Sequence, residues 1–468
     1  MGKYNPVTED VLKELRSAIG DLNVQNSPDV LDKYKTDEER NEKYIRLPEV
    51  VVFPETTEQV AAIVRIANKY LVPVTPRGAG TSTIGQAIPS YGGILLTMER
   101  MNKILELNAE ALYAVVEGGC GTINLQNEAK RHGVIYAGDV TSSESSFIGG
   151  NIATNAGSLK AVKYGTTRQQ VHAVEVVTPT GEIVNLGARL LKNSTGYALD
   201  QLIIGSEGTL GIITKATMRL RPWLRNELSV LAIFDDYDKA IATPNILLKA
   251  GLQALSMEFM DNKTVKGCQD YQKVTLPYAD KGCHWVIVSI DGHTEEEVTE
   301  KAEKLNALLD EGGAIDVLVA DDLIWKARKE VTEATREKSL VFHTEDNVVP
   351  IDKLALVFKK TNELLDKHGI SGWILAHIGD GNVHVNKMKY DTPDAEWDDK
   401  LTKFTDELGP FIYQLGGKLS GEHGIGPTKI DMMAKLTDPV ELKMMTDIKR
   451  ALDPNWILNP GKIFAVPS

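Results

Sequence analysis

The sequence predicts an α+β protein of more than one domain, and three stretches carry that expectation. Residues 49–82 read as strand, helix, strand and a glycine-rich loop. Residues 92–221 hold short strand-like runs separated by turn glycines, and from residue 228 apolar runs alternate with charged helical segments. With 468 residues the chain exceeds what one core ordinarily holds.

Residues 1–45 are charged and helical in pattern, a lead-in. Residues 49–53 (Glu-Val-Val-Val-Phe) form an apolar run closed by Pro54, the pattern of a buried strand. Thr56 and Gln59 then form a capping box ahead of Val60, Ile63, Val64 and Ala67, which share one helix face. Residues 72–75 predict a second strand. Pro76, Arg77, Gly78, Ala79, Gly80, Thr81 and Ser82 follow as a loop. The run 228–234 (Leu-Ser-Val-Leu-Ala-Ile-Phe) opens a second α+β region, with a charged helix over 294–309. Near residue 425 the pattern turns helical again and ends on Asn459-Pro460-Gly461-Lys462. The expected division is 1–224, 225–424 and a closing segment 425–468 that returns to the first domain.

Hydrophobic residues make up 42% and charged residues 25%, a globular composition. The net charge of -13 disfavours nucleic acid and anionic membrane surfaces as partners. The start, Met1 to Pro6, has no apolar run of a secretory signal, and nothing approaches the ~20 apolar residues of a membrane span. Cys120, Cys268 and Cys283 lie far apart in no paired spacing, which fits buried free thiols and a cytoplasmic protein. An iron–sulfur cluster commonly needs about four cysteines, so none is expected on this chain alone.

Three segments are rich in Gly, Asn, Ser and Thr: residues 76–82, 148–157 and 205–211. Such segments let backbone N–H groups approach a pyrophosphate closely, although each alone also fits tight turns in a β-rich domain. None has the Gly-x-Gly-x-x-Gly pattern opening a helix, which weighs against an NAD fold, and no Walker A loop is present.

Together with Lys163-Tyr164-Gly165-Thr166-Thr167-Arg168, Asn193-Ser194-Thr195-Gly196-Tyr197 and the Asn459 to Lys462 ending, these segments resemble the vanillyl-alcohol-oxidase-type FAD proteins. The similarity is to the glycolate oxidase and D-lactate dehydrogenase branch and runs over nearly the whole chain. It implies a FAD-binding domain and an α+β, ferredoxin-like substrate or cap domain. The cofactor residues it implies are those of the first loop with Gly149, Gly150, Asn151, Thr154, Asn155 and Gly157. It adds Glu207, Gly211, Ile212 and Asn459. Relatives with covalent flavin carry a histidine in the first loop. Here there is none, so FAD is expected to be non-covalent.

Residues 373–386 centre on Asp380-Gly381, a two-residue hairpin signal between alternating apolar runs. That turn would pair Gly379 with Asn382, Ile378 with Val383 and His377 with His384. Two imidazoles on one face reach a single ion, and Asn386 points the same way. Core packing is the plainer reading of such a pair, but Glu422 and His423, in a glycine-flanked loop, offer further ligands.

The resemblance implies that His377, His384 and Glu422 bind a divalent ion (zinc, iron or manganese) and that His423 is the base. It also implies that Asn386 and Thr332 meet substrate and that Arg328 grips its carboxylate. Without it, Arg328 reads equally as part of a charged helix face. Relatives acting on 2-hydroxy dicarboxylates carry a lysine further on, and residues 341–346 contain none, which favours a short monocarboxylate. The expected reaction is oxidation of D-lactate to pyruvate, with electrons leaving to an electron-transferring flavoprotein or another redox subunit. Glycolate or 2-hydroxyglutarate oxidation, a non-catalytic FAD subunit, and the non-redox chemistry of alkyl-glycerone-phosphate synthesis are the competing readings. A homo-oligomer is compatible with each.

Overall fold

The computed structural model describes residues 3–39 and 41–467. Met1, Gly2 and Arg40 of the expected lead-in, and Ser468, lie outside the described residues. The chain forms two compact units. The first takes Met1–Ser158, Thr166–Trp223 and Glu422–Ser468, and the second takes Leu159–Gly165 and Leu224–Gly421. The excursion of residues 159–165 and the return at Glu422, rather than 425, both differ from the division read from sequence. The excursion stays with the second unit because Lys163 Nζ sits 2.5 and 2.6 Å from the two Asp291 carboxylate oxygens.

In the first unit, Val50–Val52, Ile94–Thr97 and Val74–Arg77 run parallel, with Val24–Gln25 antiparallel at the edge. Pro76 and Arg77 therefore belong to a strand, not to the loop read from sequence. Helix Thr57–Tyr70 buries Val60, Ile63, Val64 and Ala67 against this sheet. Thr56 accepts the Gln59 N–H, while the Gln59 side chain takes the N–H of Glu55, one residue earlier than in a capping box. A five-stranded antiparallel sheet follows, in the order Ile104–Asn108, Tyr113–Glu117, Ile212–Arg219, Val171–Val177 and Ile183–Gly187. The chain end returns beside Val74, whose N–H donates to Ile457 O at 2.8 Å and whose carbonyl accepts from Asn459 N–H at 2.7 Å.

The second unit is a seven-stranded, wholly antiparallel sheet. Its order is Asp316–Val319, Asn226–Phe234, His284–Gly292, Ser256–Met260, Ser371–His377, Asn382–Met388 and Phe342–Val348. Helices Tyr237–Lys249, Glu295–Glu311, Leu354–His368 and Asp394–Gln414 bury one face. Asn262–Gln272, Asp322–Lys329 and Val331–Lys338 cover part of the other. On that second face the apolar pattern gives way to Glu258, His377, His384, Asn386 and Asp346, all buried. Cys120, Cys268 and Cys283 are buried free thiols, and burial pushes the first two up to about 12. No helix among the described residues is long and apolar enough to cross a membrane.

Candidate active site

The two histidines come from adjacent strands, but not in the expected register. His377 pairs with Asn382 and Leu375 with His384, so the connection is the four residues 378–381, not Asp380-Gly381 alone. Asp380 and Gly381 both donate their N–H to His377 O at 3.2 Å, and the Asp380 carboxylate accepts the Asn382 N–H. A longer loop thus wins over the two-residue turn. The pairing is displaced by two positions, an even number, so every side chain keeps its face. His377 and His384 become diagonal neighbours, with ring centroids 5.3 Å apart and planes at 89°.

Each imidazole is backed by a buried carboxylate. His377 Nδ1 lies 2.8 Å from Glu258 Oε1, and His384 Nδ1 lies 3.8 Å from Asp346 Oδ1. Asp346 is fully buried and accepts from Asn382 Nδ2 at 2.8 Å and Ser420 Oγ at 2.5 Å. For His377 the hydrogen-bonded carboxylate on the Nδ1 side leaves Nε2 to face an ion, the arrangement that usually orients metal-binding histidines, whereas Asp346 Oδ1 stands beside His384 Nδ1 beyond hydrogen-bond distance. The donor set of this unit therefore fits a divalent ion at His377 and His384. Sequence reasoning missed Glu258 and Asp346. The signal for Glu258 was a lone charge within the apolar run Ser-Met-Glu-Phe-Met.

Arg328, at the end of helix Asp322–Lys329, turns its Nε and Nη2 onto Glu258 Oε2 at 2.9 and 2.5 Å. One edge of the guanidinium is thus committed to Glu258, through Nε and Nη2. Burial alone would raise the Glu258 carboxyl. His377 and Arg328 outweigh it and hold the group below its ordinary value. Asn386 accepts from Thr344 Oγ1 at 2.8 Å and donates to Thr335 Oγ1 at 3.0 Å. Thr332 lies on the exposed side of its helix, its hydroxyl without a hydrogen-bond partner among the described residues.

In the first unit the second glycine-rich segment is not a loop. Ile148–Thr154 is a short helix ended by Asn155 in the left-handed region, and Gly149 and Gly150 hid it from propensity. Asn155 Oδ1 accepts from Thr166 Oγ1 and Arg168 N–H, while Thr154 caps back onto Gly150 O. A side chain on Gly78 would stand 3.5 Å from Gly150 Cα, so the first two segments meet backbone to backbone. Arg168 fastens the residues that lead into the third segment through Gln201 O and Ile204 O. Gly211 is packed against Val176 and leads into the buried Ile212. Buried Ser206 Oγ and Asn459 Oδ1 have no partner among the described residues, which is where a polar ligand belongs. The unit therefore fits a dinucleotide such as FAD.

Glu422 and His423 belong to this first unit, with His423 Nε2 3.8 Å from Glu422 Oε1. Glu422 occupies the space a side chain on Gly157 would need. Glu207, expected from sequence as a cofactor contact, commits its carboxylate to the N–H groups of Ile425 and Gly426 at 2.6 and 2.9 Å. It holds the loop that carries Glu422 and His423.

Comparisons with known proteins give the family of the chain. Residues 224–463 match the family described as FAD linked oxidases, C-terminal domain, and residues 48–187 match the FAD binding domain. The chain is 35% identical to a D-lactate dehydrogenase of Anaerostipes hadrus, covering 98% of each chain. It is 33% identical to glycolate oxidase subunit GlcD of Bacillus subtilis (98% and 97% covered). It is 32% identical to a D-2-hydroxyglutarate dehydrogenase of Stutzerimonas stutzeri (97% and 99% covered). Among solved structures, p-cresol methylhydroxylase superposes with a TM-score of 0.82 at 21% identity (97% and 96% covered). Alkyldihydroxyacetonephosphate synthase gives 0.75 at 20% (98% and 86%).

Proposed function

We propose that this chain, which belongs to the FAD-linked oxidase family and has the vanillyl-alcohol-oxidase-type FAD-binding fold, is a dehydrogenase that oxidises D-lactate to pyruvate. The observation that carries the reading is the pair of buried histidines on one sheet face with Arg328 tied to Glu258, the carboxylate that also backs His377. Relatives named for D-lactate, glycolate and D-2-hydroxyglutarate share the 2-hydroxy-acid group, which such a site suits. The short monocarboxylate is favoured because the strand Phe342–Val348 brings no lysine to that face.

Arg328 takes the substrate carboxylate through its remaining edge. Thr332 and Asn386 orient the substrate, and His423 accepts the α-hydroxyl proton, a task imidazole suits near neutral pH. His377, His384 and Glu422 would hold a divalent ion, which when bound lowers the pKa of the α-hydroxyl. Bound, non-covalent FAD supplies the two-electron acceptor for the α-hydrogen. The electrons then pass to a partner carrier, an electron-transferring flavoprotein in our reading, in the cytoplasm.

The test is anaerobic mixing of the yellow protein with D-lactate, L-lactate, glycolate and D-2-hydroxyglutarate, following the oxidised-flavin absorbance. Bleaching is expected with D-lactate, lost on chelation and restored by metal. A metal-loaded protein that no hydroxy acid bleaches is not a dehydrogenase of this kind.

A further inference from the structure

We propose that Glu258 is a positioning residue that sets Arg328 and His377 as one rigid pair, a task requiring a carboxylate. The inference rests on the dehydrogenase reading above. Strand Ser256–Met260 pairs Phe259 with Ala376 and Met260 with Leu375, a register that brings Glu258 level with His377. Its side chain is 1% exposed, so water does not share its hydrogen bonds. Oε2 accepts both Nε and Nη2 of Arg328, and Oε1 faces His377 Nδ1 at 2.8 Å.

An ionised carboxylate accepts on both oxygens and donates on neither. Facing one, His377 must carry its proton on Nδ1, which leaves the Nε2 lone pair for an ion. Facing the other, the Arg328 plane is fixed with Nη1 outermost. Glutamine has the same shape but offers one oxygen and one NH2. If the NH2 faces His377, the tautomer flips and Nε2 becomes protonated. If it faces Arg328, donor meets donor. Either way one function is lost, whereas a carboxylate that merely neutralised Arg328 would leave ion binding untouched.

The experiment uses the FAD-loaded full chain as wild type, Glu258→Gln, Glu258→Asp and Glu345→Gln. Glu345 is the control, because it is buried in an ion pair with Lys387 on the opposite sheet face. Zinc affinity is read by competition with a chromogenic chelator, alongside KM and kcat for D-lactate and the flavin content. For Glu258→Gln we expect zinc affinity to fall roughly tenfold to a hundredfold or KM to rise by a similar factor, with flavin content unchanged. Glu258→Asp keeps both acceptors and should recover part of the loss. Glu345→Gln should lower Tm and move neither reading. Glu258→Gln within twofold of wild type on both readings overturns the proposal. If that variant does not fold, Glu258→Asp decides, since it retracts both acceptors, and wild-type values in it overturn the proposal equally. Wild-type protein that binds no zinc and shows no D-lactate bleaching rejects the dehydrogenase reading and this role with it. A normal wild type beside an indifferent Glu258→Gln rejects only the role of Glu258.

Discussion

Gly426 donates its backbone N–H to Glu207 Oε2 at 2.9 Å, joining residues 219 apart in sequence. With the Ile425 N–H on Oε1, this bond fixes the loop that presents Glu422 and His423. Burial raises the Glu207 carboxyl against these N–H groups, Gln86 and Lys462. Glu207→Gln offers one acceptor where two are used and sets an NH2 against the second N–H. An unsatisfied buried donor costs about 1–3 kcal/mol. We expect flavin content to hold while the rate of flavin reduction by D-lactate falls roughly tenfold to a hundredfold, because small displacements of a proton acceptor are expensive. Stopped-flow reduction rates equal to wild type would show that the loop does not depend on Glu207.

Gly381 sits at φ +88° with Val349 O in the space a Cβ would fill. Gly381→Ala therefore combines left-handed strain with a steric clash, and we expect a loss of roughly 1–3 kcal/mol together with weakened metal binding, since His377 and Asn382 flank the same loop. A Tm and metal affinity equal to wild type would mean that the loop relaxes without cost.

That loop also marks the limit of what sequence discloses. The alternation of residues 373–386 revealed the strands, the common face of His384 and Asn386 followed from their even spacing, and that of His377 and His384 followed from pairing the two strands across the turn. The loop length did not follow, because Asp-Gly serves a four-residue connection here as readily as a two-residue turn. The helix Ile148–Thr154 was hidden for a similar reason: its glycines disfavour helix locally, and tertiary hydrogen bonds from Ile148 and Gly149 to Cys120 O and Gly118 O override them. Glu258 and Asp346 act through partners up to 119 residues away, and no local pattern reports such a pairing.

Asp261 caps helix Asn262–Gln272, accepting from Thr264 N–H and Oγ1 at 2.8 and 2.6 Å. Burial pushes its carboxyl up to about 6 from 3.8, against those hydrogen bonds. The folded chain thus holds this proton more tightly than the unfolded chain. The group's contribution to stability is fully present below the ordinary value and lost as pH rises through about 6, a change of roughly 3 kcal/mol. Asp261→Asn removes the titration. Tm of both proteins at pH 4.5 and 8 should show the variant gaining on wild type at the higher pH. A constant difference would place the titration elsewhere.

Lys387 lies in the strand that carries His384, yet it faces the other way. Its ammonium is fully buried, 2.5 Å from Glu345 Oε1 and 4.5 Å from the Phe404 ring centroid. It pairs across the sheet with His343 and Gly372, whereas Asn386 and His384 point to the opposite face. This lysine therefore does not reach a distal substrate carboxylate. Removing it alone would strand a buried glutamate at a cost of about 3–5 kcal/mol, so the informative variant is the double Lys387→Met, Glu345→Gln. We expect its ratio of kcat/KM for D-lactate over D-2-hydroxyglutarate to match wild type within about twofold, since no group on the substrate face changes. A selective loss of 2-hydroxyglutarate turnover would place Lys387 at the substrate and overturn the argument for a short monocarboxylate.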